Sequence, residues 1–234
     1  MFRSVRHWWG SGSGRVTARL FLFELFVVVV GVLIAQALAG YVQRHSDLAR
    51  METERSRVRY ELTSAHSIFQ SWRAGIPCLD ERMTQIMTGT DFPTNAMLRP
   101  ALPAPDFTPP ETDVLDLIAK RYGPEEKDRL IWVATNVTGV RAADASIGTI
   151  WGRLTLIDPA YGPVTAADHA EARLAAADIK AQLRRIEVLS DDATMILTKM
   201  GIAARNQYEP NYGPPKSCAA IWKSGRLDPP LGMR

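Results

Sequence analysis

Residues 20–40, LFLFELFVVVVGVLIAQALAG, form an apolar stretch that contains one carboxylic acid, Glu24. As a helix, the 20 residues from Leu20 to Ala39 would cover about 30 Å, the thickness of the hydrocarbon core of a bilayer. Fourteen of them are Leu, Phe, Val or Ile, which together favour insertion by about 4–8 kcal/mol, whereas Glu24 costs at most about 3 kcal/mol. The stretch is therefore predicted to be a transmembrane helix.

A cleavable signal peptide is the alternative interpretation of the same stretch. Ala35 and Ala37, or Ala37 and Ala39, match the small-x-small pattern of a cleavage site. The apolar region of a signal peptide is usually only about 7–15 residues long, and no Pro or Gly separates this longer run from the candidate site. We therefore predict a retained anchor, with cleavage as the alternative.

The orientation of the anchor is predicted from the flanking basic residues. No acidic residue occurs among residues 1–19, and basic residues also follow the stretch, so the bias depends on the window that is counted. The basic residues considered are Arg3, Arg6, Arg15 and Arg19 before the stretch, and Arg44, Arg50, Arg55, Arg57 and Arg59 after it. When only residues close to the stretch are counted, the N-terminal side has the greater excess of basic residues. This excess predicts a cytoplasmic tail over residues 1–19 and an external location for residues 41–234.

One face of the predicted span is suited to helix association. At 100° per residue, Gly31 and Ala35 lie about 20° on either side of Glu24, and Ala39 lies within about 60°. Small residues allow close approach of two helices in lipid, and a polar group can bond across the contact. Glu24, Gly31, Ala35 and Ala39 therefore define a predicted association face, for a second copy or for another membrane protein. The alternative is that Glu24 only reaches the lipid headgroups.

Apolar residues recur at steps of three and four after the span, with Arg55 as the one interruption. This pattern predicts one helix from about Arg19 through Trp72, and its apolar stripe is either a coiled-coil interface or the inner stripe of a bundle helix. Pro77 is predicted to end the helix, with a short helix from Cys78 to about Met87. The stripe comprises Leu48, Met51, Val58, Leu62, Ala65, Phe69, Trp72 and Ile76.

The remaining sequence predicts an all-α fold. A Pro-rich loop at 89–110 precedes three helical segments, and strand patterns are scarce. The segments are Glu111 to Tyr122, Pro124 to about Ile157, and Thr165 to Met200 with Gly201 as the C-terminal cap. The predicted organisation is a transmembrane helix at 20–40, an extracytoplasmic helical bundle at 41–206 and a Pro-rich tail at 207–234.

The two cysteines, Cys78 and Cys218, are predicted to form a disulfide if residues 41–234 face an oxidising compartment. In the chain-entropy model a loop of this length is worth about 5 kcal/mol. Two unrelated thiols are the alternative.

No motif in the chain indicates catalysis. The G-x-S-x-G, P-loop and G-x-G-x-x-G patterns are missing, and the four histidines are scattered. The densest cluster, Asp168-His169-x-Glu171, falls in a predicted first helical turn, where acids are expected for the helix dipole alone. A net charge of +3 is too weak to indicate nucleic-acid binding. We predict no enzymatic activity, no metal and no cofactor.

The block FELFVVVVGVLIAQALAGYVQ, residues 23–43, followed by a charged helix and the pair Pro77-Cys78, resembles a group of uncharacterised single-span bacterial envelope proteins with an E-L-x-V-V-V-x-G-V-L-I-A type anchor. The resemblance covers about residues 20–90 and implies an anchor in the bacterial inner membrane with a periplasmic domain. The chain also resembles type IV pilins, which carry a Glu after several apolar residues. In type IV pilins, Gly or Ala precedes the residue that lies four positions before this Glu. Here that residue is Leu20, and it is preceded by Arg19, so the chain departs from the pilin pattern.

Three functions are consistent with these features. The first is a membrane-anchored interaction or assembly protein of the cell envelope, which is the favoured interpretation. The second is a pilin-like or secretion-system subunit, and the third is an extracytoplasmic ligand sensor that acts through a partner membrane protein.

Overall fold

A computed structural model describes residues 13–89, 99–100, 103–204 and 218 of the chain. The regular structure in these residues is entirely helical, which confirms the all-α prediction. The described residues form four α-helices, together with two short 3-10 helices after α3 at Gly152–Ile157 and Pro159–Tyr161. The α-helices are α1 Ser13–Thr88, α2 Thr112–Tyr122, α3 Pro124–Trp151 and α4 Ala166–Lys199. Residues 1–12 of the predicted N-terminal tail, and the predicted C-terminal tail apart from Cys218, lie outside the described residues.

Helix α1 runs without a break through positions 40–46, so the predicted continuous helix from Arg19 through Trp72 is confirmed. The predicted end of the helix at Pro77 is wrong, because α1 includes Pro77 and ends at Thr88. A proline inside a helix costs about 3 kcal/mol or more. Burial of four apolar side chains around it contributes about 1.5–3 kcal/mol each, which outweighs that cost. These side chains belong to Ile76, Leu79, Met83 and Ile86, all at most 5% exposed.

The chain divides into two compact units, with the boundary between Glu52 and Thr53. The first unit contains the apolar stretch, whose side chains from Leu20 to Ala39 are exposed apart from the half-buried Val30. An 18-residue window of it has a mean hydropathy of 2.5, and none of that window is buried against the described part of the chain. By length and composition this helix is suited to cross a bilayer.

The second unit has a core built on one stripe of α1. The stripe residues from Val58 to Ile76 are at most 5% exposed, so here the apolar pattern is the inner stripe of a bundle helix. In the first unit, the stripe residue Leu48 is 51% exposed. The buried stripe consists of Val58, Leu62, Ala65, Phe69, Trp72 and Ile76.

Helices α3 and α4 form an antiparallel pair, as two separated contacts show. A Cβ atom added at Gly139 of α3 would lie 2.7 Å from Cδ1 of Leu189, so the glycine allows the two helices to approach closely. Further along α3, just after its end, Arg153 forms an ion pair with Glu171 near the start of α4. As the residue number increases from 139 to 153 along α3 and just past its end, the number of the contacting residue on α4 decreases from 189 to 171, so the two helices run in opposite directions.

Helix α4 is also antiparallel to α1. Lys180 forms an ion pair with Asp80 at 3.1 Å, and further along α4 Asp191 pairs with Arg73 at 2.6 Å. Both pairs are part-exposed, so they report the register of the helices more than they stabilise it.

The described residues between Gly89 and α2 have no regular secondary structure. The indole Nε1 of Trp72 donates a 3.0 Å hydrogen bond to the carbonyl oxygen of Pro103, and Phe107 is only 5% exposed. This segment leads into α2, and Gly123, with φ of 101°, makes the turn from α2 to α3. Pro124 then occupies the first turn of α3. Backbone N–H groups in this turn have no acceptor within the helix, so a proline here costs no hydrogen bond.

Candidate functional site

The predicted association face lies on the exposed apolar part of α1. Glu24, Gly31, Ala35 and Ala39 are all exposed among the described residues. A Cβ atom added at Gly31 would meet no atom within 4 Å. No described residue therefore covers this face, and larger side chains can be introduced at Gly31 without a clash with the described part of the chain.

Cys78 and Cys218 are joined by a disulfide in the structure, with their Cα atoms 5.3 Å apart. This separation lies within the usual 4.4–6.8 Å range for bonded cysteines. The bond links α1 to a position 140 residues later in the chain. It holds Cys218 beside Cys78 of α1.

The cluster Asp168-His169-x-Glu171 is divided among structural roles. Asp168 and Thr165 form a capping box: the Asp168 N–H donates to Thr165 Oγ1 at 3.2 Å, and Thr165 N–H donates to Asp168 Oδ2 at 2.8 Å. The side-chain and backbone hydrogen bonds from Thr165 lower the pKa of the Asp168 carboxyl. Glu171 pairs instead with Arg153. In the part of the chain that the structure describes, no group of three or more His, Cys, Asp or Glu side chains could hold a metal ion.

A pocket that the sequence did not predict lies in the second unit, where four parts of the chain meet. We call it the Arg55–Arg59 pocket. Its cavity volume is ≈ 60 Å³, within a depression whose empty space is ≈ 500 Å³ including the part open to solvent. Helix α1 contributes Arg55, Val58, Arg59 and Leu62.

Apolar side chains from the other elements form much of the rest of the pocket. Ile118 of α2 and Leu130 of α3 are 3% and 2% exposed. Ile202, which follows α4, is 8% exposed, and Met200 lies next to it in the lining. The pocket therefore has an apolar floor assembled from segments that are distant in the sequence.

The end of α4 places Met200 and Ile202 at this pocket. Gly201 has φ of 67°, its N–H bonds to the Thr198 carbonyl, and the Ile202 N–H bonds to the Leu197 carbonyl. These two bonds form a Schellman motif, in which glycine supplies the left-handed conformation. The prediction that Gly201 caps this helix is confirmed.

A buried histidine fixes the same turn against α1. His66 is 4% exposed, and its Nδ1 lies 2.8 Å from the carbonyl oxygen of Ile202. Because a carbonyl oxygen only accepts hydrogen bonds, Nδ1 carries the proton and donates. His66 therefore holds the chain after α4 on the α1 surface.

Polar groups surround the apolar floor of the pocket. Arg55 Nη1 donates a 3.0 Å hydrogen bond to the Tyr122 hydroxyl, and its guanidinium lies 4.4 Å from the centre of the Tyr122 ring. Arg59 makes no side-chain hydrogen bond or ion pair with any residue that the structure describes. Glu126 lies 3.5 Å from Nη1 of Arg129. Two guanidinium groups and one carboxylate thus line the pocket.

The sequence contains one signal that could have indicated this pocket. Arg55 occupies a position in the apolar series of α1 where an apolar residue is expected. A charged residue on a buried stripe marks a place where the core is open, because an isolated buried charge is costly. The identity of the other lining segments depends on tertiary contacts and could not be read from the pattern.

Comparison of the chain with protein-family models, curated proteins and solved structures gave no match.

Proposed function

We propose that this protein is a membrane-anchored interaction or assembly protein of the bacterial envelope, without catalytic activity of its own. The observation that supports this proposal most directly is the apolar part of α1, which is long enough to cross a bilayer and is not covered by any residue that the structure describes. A helix with such a surface is stable in lipid, where its backbone hydrogen bonds are satisfied internally.

The proposed topology places residues 1–19 in the cytoplasm and residues 41–234 in the periplasm, with α1 crossing the inner membrane once. Two observations support it. Basic residues without acids precede the apolar stretch, which favours a cytoplasmic N-terminus. The disulfide between Cys78 and Cys218 is a feature of proteins in oxidising compartments such as the periplasm.

The proposed association site is the face formed by Glu24, Gly31, Ala35 and Ala39. The partner is a second copy of the chain or another membrane protein, bound within the bilayer. Close approach at Gly31 would bring helix backbones together, and Glu24 would form a hydrogen bond across the contact. An ionisable residue within a span is costly to insert, and such residues commonly have a functional role.

The test is crosslinking in native membranes at matched expression. Gly31→Leu should reduce the crosslinked product several-fold because the side chain blocks close approach. Val29→Leu is the matched control: it adds an apolar group about 140° from Glu24 and should leave crosslinking unchanged. Equal crosslinking of the Gly31→Leu variant and the wild type would contradict the association face.

The pilin-like alternative makes a different prediction about the N-terminus. A pilin-like subunit would be processed just before the apolar run, whereas a retained anchor keeps residues 1–19. N-terminal sequencing of the protein purified from membranes distinguishes the two functions. A mature chain that has lost the N-terminal tail and begins at about Leu20 would favour the pilin-like function over the proposed one.

A further inference from the structure

We propose that the Arg55–Arg59 pocket binds a small amphipathic anion, a carboxylate group carried by a short apolar chain. In this arrangement the anionic group contacts Arg59 and the apolar chain lies on the pocket floor. This site is independent of the association face, because every lining residue belongs to the unit that begins at Thr53.

The charge of the lining favours an anion. Arg55 and Arg59 are four residues apart, so their side chains lie on adjacent turns of the same helix face, where like charges repel. Neither forms an ion pair with a described residue. An anionic ligand would relieve this repulsion and accept charge-assisted hydrogen bonds.

The two arginines have different roles in this proposal. The hydrogen bond and the cation–π contact with Tyr122 hold the Arg55 guanidinium in one orientation. Arg59, which has no described polar partner, keeps all of its N–H donors available. Arg59 is therefore the principal anion ligand, and Arg55 adds positive charge from a fixed position.

The single carboxylate of the lining limits the charge of the ligand. Glu126 is half-buried and shares its charge with Arg129 at 3.5 Å. It opposes accumulation of negative charge in the pocket, so a ligand with one negative charge fits better than one with several. The rest of the pocket lining is mostly apolar with a few polar groups, which is typical of a site for a small molecule.

The floor and the volume favour a short apolar chain. Leu62, Ile118 and Leu130 are each at most 3% exposed and present hydrocarbon to the cavity. A cavity needs about 10–15 Å³ to hold one water molecule, so ≈ 60 Å³ accommodates only a few heavy atoms. A short-chain acid matches this size, whereas most of a lipid-length chain would remain outside.

The experiment uses the full chain in phosphatidylcholine nanodiscs, with 6,6,6-trifluorohexanoate as the probe, observed by fluorine NMR. Saturable binding is expected after subtraction of empty nanodiscs. Arg59→Met should weaken binding about tenfold or more, because it removes a charge-assisted hydrogen bond. Arg59→Lys, which keeps the charge, should weaken it less. Arg173→Met is the control for lost charge: this exposed arginine on α4 lies outside the pocket lining and should not change binding.

Competition with unlabelled compounds tests the class of ligand. Hexanoate should displace the probe, whereas hexanol, hexylammonium and acetate should require at least about tenfold higher concentrations, since each lacks the charge or the chain. Circular dichroism of each variant establishes that the fold is kept. Unsaturable probe binding, equal binding by the wild type and Arg59→Met, or displacement by hexylammonium as strong as by hexanoate would overturn the proposal.

A chain-length series distinguishes a free short-chain acid from a lipid-derived anion of the same chemistry. Affinity should rise from butanoate to hexanoate and change little from octanoate to decanoate. Affinity that continues to rise through decanoate would overturn the assignment to a short-chain ligand.

Discussion

Asn136 of α3 shows how a single polar residue is placed in an apolar interior. It is 1% exposed, and its Nδ2 has no hydrogen-bond acceptor among the described residues. A buried donor without a partner costs about 1–3 kcal/mol. We expect Asn136→Leu, which removes this donor and keeps the number and branching of the side-chain heavy atoms, to raise the free energy of unfolding by about 1 kcal/mol or more.

Denaturant unfolding monitored by circular dichroism measures this change. Asn136→Ala is the control, because it removes the same donor but leaves a cavity and should be less stable than Asn136→Leu. A lower free energy of unfolding for Asn136→Leu than for the wild type would contradict this prediction. It would show that the Asn136 amide has a hydrogen-bond partner in solution.

At the scale of helices, the start of α4 depends on the capping box of Thr165 and Asp168. Loss of an N-cap side chain costs about 0.5–2 kcal/mol, so Thr165→Ala should lower the free energy of unfolding by that amount. Thr165→Ser keeps the hydroxyl and should behave almost like the wild type. Thermal or denaturant unfolding of the two variants provides the comparison, and equal losses in both would exclude a role for the capping hydrogen bond.

The same capping box predicts a dependence on pH. The pKa of the Asp168 carboxyl is lowered in the folded state by its hydrogen bonds to Thr165. Its contribution to stability is therefore fully present above the unfolded-state pKa of about 3.9, and is lost as the pH falls through the folded-state pKa. The stability difference between the wild type and Asp168→Asn should accordingly be largest near neutral pH and shrink below about pH 4. A difference that stays constant from pH 7 to pH 2.5 would contradict this linkage.

At the scale of the whole molecule, the disulfide between Cys78 and Cys218 closes most of the chain after the apolar stretch into one loop. Because the two cysteines are 140 positions apart in the sequence, removal of the bond should destabilise the protein by about 2–5 kcal/mol, mainly through the greater entropy of the unfolded chain. Unfolding of the full chain with and without dithiothreitol measures the effect. The Cys78→Ser/Cys218→Ser double variant is the control and should be insensitive to dithiothreitol.

The proposed topology is tested by the state of the same cysteines in cells. If residues 41–234 are periplasmic, both thiols should be oxidised and resist alkylation until a reductant is added. Alkylation of both thiols in unreduced cells would contradict the periplasmic location.

The sequence alone determined the helical class, the continuous first helix through Trp72, and the ends of α2 and α4. It did not determine the end of α3, which lies at Trp151 rather than at about Ile157 because a 3-10 helix covers Gly152–Ile157. The features that it determined depend on local properties: the apolar length of residues 20–40, the three-and-four spacing of Leu62, Ala65 and Phe69, and the conformational freedom of Gly123 and Gly201. Each can be recognised within a few turns of one helix.

Only the tertiary structure decided the continuation of α1 past Pro77 and the existence of the Arg55–Arg59 pocket. At Pro77 a local penalty is outweighed by burial of Leu79 and Met83, and that burial is supplied by other segments of the chain. The pocket likewise joins α1, α2, α3 and the turn after α4. Local periodicity identifies which face of a helix is apolar, but the gain from burying that face depends on which distant segments pack against it.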